Sequence, residues 1–202
     1  MKVELNNYCE FWETQLYKEK IHDLKKGITV LIGCNGAGKT TFLDLLENKF
    51  KDNENWLVKN YNTERTKSFL EEGYGSSTTF INVIKSSEGE SNTIVIGEMF
   101  QDLGNQIKNS EKENIMILFD GLDSGISVDQ FDDYFKVFKL IQNDCKDKNL
   151  YFIFSTNSYE FAKNYNCYFL QENKYIESPK TYEEFKKIII ESKKIKKEFL
   201  KK

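Results

Sequence analysis

Residues 33–40 read GCNGAGKT, in which three glycines, a lysine and a threonine stand at the spacing that holds a phosphate chain. Gly33, Gly36 and Gly38 let the backbone curl closely enough for successive N–H groups to point at an anion, and the positive end of a following helix adds to the attraction. Lys39 supplies a mobile cation for the β and γ phosphates, and the Thr40 hydroxyl is placed to ligate Mg²⁺. The expected nucleotide contacts run through Gly33, Asn35, Gly36, Ala37, Gly38, Lys39, Thr40 and Thr41.

The pattern carries weight only between a strand and a helix, and here ITVLI precedes it and TFLDLLE follows it. The runs 28–32, 115–119 and 150–154 are unbroken apolar stretches, as strands of a parallel sheet buried on both faces should be. They alternate with helical patterns, which predicts an α/β fold with crossover helices. Asp120 closes the run IMILFD, so its carboxylate falls at the C-terminal end of a strand, where open α/β sheets place their ligands. There it is expected to hold the metal from the side opposite Thr40, directly or through water. Val128, Phe131, Phe135, Phe138, Ile141 and Cys145 repeat at helical spacing and are expected to fill the core.

A third segment, KSSEGES at 85–91, resembles the serine-x-glycine-glutamate signature of ABC-type ATPases, with Ser87, Gly89 and Glu90 at the matching positions. It lies between the phosphate loop and Asp120 and precedes an amphipathic stretch over 94–107. In that family the element presents a serine hydroxyl, backbone N–H groups and a helix start to the γ-phosphate held by a second subunit. The resemblance therefore implies ATP with Mg²⁺ as cofactors and a two-fold homodimer formed around ATP. Ser124, Gly125, Ile126 and Ser127 fall where the family's D-loop lies, with Ser127 in place of the usual aspartate. Asn157 occupies the position of the family's switch histidine, and Asn62 is a candidate for its Q-loop residue beside the metal. Tyr8, Phe11 or Trp12 would stack on adenine, although packing is the plainer role for each. With the SSEGE wording, the run from Asp120 through Ser127 and Asn157 at the switch position, the chain resembles small ATP-binding proteins of bacteriophages and mobile elements.

The resemblance implies a P-loop, ABC-ATPase-like, mostly parallel sheet flanked by helices, with a reduced helical subdomain. It predicts an ATP-binding domain over 1–180 and a basic amphipathic helix over 181–202, packed on that domain or extending it. Catalytic roles carry over to Lys39, Asp120 and Asn157. The family's water-polarising glutamate is Gly121 here, which has no base to offer, so hydrolysis is expected to be slow unless Asp123 substitutes.

A chain of 202 residues with 30% charged residues and a net charge of −3 fits one domain and announces neither a nucleic-acid nor a membrane partner globally. No apolar run approaches the roughly 20 residues that span a bilayer, and the start lacks a signal-peptide layout, so a cytoplasmic location without membrane contact is expected. The four cysteines show no paired spacing and are expected as reduced, mostly buried thiols. Cys34, inside the loop, is expected to fill a sterically undemanding position, and His22, the single histidine, to be structural. Lys186, Lys187, Lys193, Lys194, Lys196, Lys197, Lys201 and Lys202 crowd the last helix, a solvated face or a phosphate-backbone contact.

The leading expectation is a soluble ATP-dependent switch in phage-type nucleic-acid metabolism, with a phage or host protein as partner. An ABC-transporter subunit is the alternative, but fewer than about fifty residues between Lys39 and Ser87 leave little room to dock on membrane helices. A small-molecule P-loop kinase is the other alternative, and it has no use for the SSEGE turn.

Overall fold

The structure, a computed structural model, describes residues 1–4, 21–62, 88–121 and 128–199. The strands β1 (Lys2–Glu4) and β2 (Ile21–Asp23) form a small antiparallel pair. The main sheet takes β3 (Gly27–Ile32), β4 (Trp56–Asn62), β5 (Asn114–Asp120), β6 (Asn149–Ser155), β7 (Cys167–Phe169) and β8 (Lys174–Ile176). Its order is β4-β5-β6-β3-β7-β8, parallel throughout except for the antiparallel β7–β8 edge. The helices are α1 (Lys39–Phe50), α2 (Glu88–Asn109), α3 (Val128–Asp144), the short α4 (Tyr159–Ala162) and α5 (Tyr182–Phe199).

Period-two alternation divides the buried strands between two cores. On β5, Ile115, Ile117 and Phe119 join one core while Met116 and Leu118 join the other; on β6, Leu150, Phe152 and Phe154 oppose Tyr151 and Ile153. The first core is closed by Phe100, Leu103 and Ile107 of α2, Phe135 and Phe138 of α3 and Phe185 of α5. The second is closed by Phe42, Leu43 and Leu46 of α1 together with Val3 and Leu24. Phe119 stacks on Phe154 at 4.6 Å between ring centroids, and Phe138 meets both edge-on at 5.3 and 5.1 Å. Such pairs contribute roughly 0.5–1.5 kcal/mol each beyond the area they bury, and they fix the seat of α3 on the sheet.

The three expected strands form with one or two added end residues, and the helical stripe of α3 faces inward at Phe135 and Phe138, with Cys145 buried just past its end. Val128 and Phe131 lie on the helix, outside the residues with described side chains. Two element bounds bear on the site. The fourth strand runs on to Asn62, which makes that residue a strand end level with Asp120. The second helix starts at Glu88, which puts Gly89 and Glu90 in its first turn. Cys34, Cys145 and Cys167 are buried free thiols, and burial pushes the Cys167 thiol up to about 12. Among the described residues no helix is long and apolar enough to cross a membrane.

The topology collects the polar residues along one edge. Strands β3, β4, β5 and β6 run parallel, so the glycine-rich turn after β3, Asn62, Asp120 and the segment after β6 all emerge at their C-terminal ends. Strand β6 lies between β3 and β5, which separates the loop's strand from that of Asp120 by two spacings, about 10 Å. The segment Thr156–Asn157 follows β6 into that gap.

Candidate functional site

The turn after β3 has the backbone its sequence requires. Gly36 and Gly38 sit at φ +72° and +87°, the left-handed region that costs other residues about 1–2 kcal/mol. Gly38 is also the N-cap of α1, where it offers no side-chain cap, and the first turn of that helix holds no acidic residue. The helix start is thus suited to an anion supplied from outside. Thr40 and Thr41 occupy this first turn, Thr40 exposed and Thr41 half-buried. Gly36→Ala is expected to destabilise the chain by about 1–2 kcal/mol through its backbone angle, read as a lower midpoint in urea unfolding.

Lys39 is buried and its ammonium group folds back over the loop. It donates to Gly33 O at 2.8 Å, Cys34 O at 3.3 Å and Asn157 Oδ1 at 2.9 Å. All three acceptors are neutral oxygens, weaker partners for an ammonium than a phosphate oxygen would be. The contact with Asn157 joins two sequence-predicted residues 118 positions apart.

Asp120 is gripped from both sides at one level of the sheet. Asn62 on β4 and Ser155 on β6 are its register partners, and both bond its carboxylate: Asn62 Nδ2 donates to Oδ2 at 3.3 Å and the Ser155 hydroxyl donates to Oδ1. Ser155 in turn accepts the Gly121 N–H at 3.3 Å. Sequence reasoning missed Ser155, whose place beside Asp120 is set by strand register. Gly121 itself has φ +68°, so the backbone disfavours any side chain where a water-polarising carboxylate would stand.

A divalent ion is compatible with this donor set. The candidate ligands, the Thr40 hydroxyl and the Asp120 carboxylate with Asn62 beside it, are all hard oxygens. Mg²⁺ takes one or two protein oxygens and fills its remaining positions with phosphate and water. Among the described residues no cluster of histidine, cysteine and carboxylate suits a metal held by protein alone.

The last helix reaches the loop, which the sequence did not foretell. Ser192 is fully buried; its hydroxyl accepts the Cys34 N–H at 2.8 Å and donates to Gln171 Oε1, while Gln171 Nε2 donates to Ser192 O at 3.1 Å. Cys34 is therefore a fixed contact point, its amide tied to α5. One helical turn beyond Ser192, Lys196 Nζ donates to Asn35 O at 3.0 Å.

Ser87, Asp123 and Ser124–Ser127 lie outside the described residues, as do Tyr8, Phe11, Trp12, Lys201 and Lys202. Gly89 and Glu90 are described as helix backbone only. No protein-family model matches this sequence and no curated protein matches it significantly, so the site is read from its own geometry.

Proposed function

We propose that the chain binds ATP with Mg²⁺ at the Gly33–Thr41 loop and acts as a slowly hydrolysing, nucleotide-dependent switch of the ABC-like kind. The observation that carries this reading is Lys39, a buried ammonium held between Gly33 O and Asn157 at the sheet edge that also presents Asp120. The triphosphate draws Lys39 off the loop carbonyls, exchanging neutral acceptors for charged ones. Thr40 and Asp120 would hold Mg²⁺, which would neutralise charge on the phosphates, with Asn62 and Ser155 holding the carboxylate in its orientation. Asn157 stays beside Lys39 and donates its amide to the γ-phosphate or to the attacking water.

Turnover is slow because no base stands directly after Asp120, unless Asp123 substitutes. The left-handed Gly121 position disfavours a side chain, and the Asn157 amide cannot carry a proton as a general base would. The dimeric part of the reading rests on the Ser87–Glu90 segment, of which Gly89 and Glu90 lie in the first turn of α2. Such a segment serves the triphosphate of a second copy, which makes association follow ATP occupancy. A role near nucleic acid in phage-type metabolism, and a protein partner there, draw on the same resemblance and on the lysines that α5 shows to solvent.

Sizing the full chain with and without ATP and Mg²⁺, together with turnover at saturating ATP, tests the reading. The expected result is a doubling of mass with ATP and turnover far below the roughly 10 s⁻¹ of a typical enzyme. Rapid hydrolysis abolished by Asp123→Asn would show a displaced base, and a monomer at saturating ATP would remove the dimer.

A further inference from the structure

Between the loop and α5 lies a cleft of about 610 Å³, within the size range of small-molecule sites. Cys34, Asn35 and Asn157 form one wall, and the other carries Lys186, Lys193, Lys196 and Lys197; no carboxylate lines it among the described residues. This wall is built in, because the buried Ser192–Gln171 pair clamps α5 to the Cys34 amide. Detaching it would leave buried polar groups without partners.

Two ammonium groups consequently converge on three consecutive carbonyls of one turn. Lys39 binds those of Gly33 and Cys34, and Lys196 binds that of Asn35. Lys196 also stands over Gly36, in the space a side chain there would need, so bare backbone at that position gives the lysine its approach. Like charges gathered on neutral acceptors favour an anion between them. Lys196 thus stands on the same turn as Lys39, at the carbonyl next to the two that Lys39 binds.

We propose that Lys196 is a second phosphate-binding residue of this site, supplied by α5 of the same chain, and that it engages the terminal phosphate of a nucleoside triphosphate together with Lys39. The proposal rests on the reading of the loop as a nucleotide site and adds a preference for triphosphate over diphosphate. Lys193 and Lys197 extend the positive wall without touching the loop's carbonyls.

Calorimetric titration of the full chain with ATP and with ADP, in Mg²⁺, tests it. Lys196→Ala is expected to weaken ATP about tenfold and ADP by about threefold at most, with unchanged melting in the absence of nucleotide. Lys196→Arg should restore most of the ATP affinity, and Lys187→Ala, on the exposed side of α5, should leave both affinities as they were. ATP binding by Lys196→Ala within about twofold of the unaltered chain would overturn the assignment, and so would equal losses for ATP and ADP. Tighter binding would also overturn it, by making α5 a cover over the loop. If the unaltered chain binds neither nucleotide, the reading of the loop itself fails and this inference falls with it.

Discussion

Lys39→Ala is expected to reduce ATP affinity by about 100- to 1000-fold, the largest functional effect of any single change in this site. An ammonium making two or three charge-assisted hydrogen bonds to phosphate oxygens contributes about 3–4 kcal/mol once its existing bonds are subtracted. Those existing bonds go to Gly33 O, Cys34 O and Asn157 Oδ1, so the alanine also frees acceptors the folded chain now satisfies. Part of that cost falls on the apo protein, because Lys39 is buried. Titration calorimetry with ATP and Mg²⁺, paired with urea unfolding in the absence of nucleotide, separates the two. If affinity drops no more than about threefold while unfolding is unchanged, Lys39 is not the phosphate cation.

Acidification is expected to remove about 3 kcal/mol of stability through His22 alone. This residue is the middle of β2, fully buried, with its ring 4.7 Å from that of Phe42 and Nδ1 2.9 Å from the Tyr168 hydroxyl. Burial holds its pKa at about 4 against an ordinary 6.5. The folded chain thus keeps the ring neutral while the unfolded chain protonates it below 6.5. The contribution is complete above pH 6.5 and is lost progressively as pH falls towards 4, with no further change from this group below that. Urea midpoints between pH 7 and pH 5 should therefore fall in the wild type and fall less in His22→Gln. Equal slopes for the two proteins would show that His22 ionises without unfolding.

Much of the sheet was legible because β3, β5 and β6 are unbroken apolar runs of ordinary strand length, a pattern that only burial on both faces explains. The loop was legible for a different reason: Gly36 and Gly38 sit where the backbone needs positive φ, so residue type reports conformation directly. Strands β1, β2, β7 and β8 have three residues each, too few to show a period. Ser155 became a partner of Asp120 only through strand register, which sequence spacing does not encode. Ser192 offered one clue, a polar residue on the apolar face of α5 that also bears Phe185, Ile188 and Ile189. A polar side chain in such a stripe asks for a buried partner, but nothing local identifies Cys34 as that partner.

The Cys34–Ser192 bond spans 158 positions, nearly the length of the chain. Contacts of such high sequence separation form late, after the intervening segments have paid their loop-closure entropy. On the ribosome the glycine-rich turn emerges early, but its bond to Ser192 waits until the last helix has been released. A polypeptide stopped before Ser192 would leave the Cys34 amide without this partner, so the glycine-rich turn would lack its tie to α5.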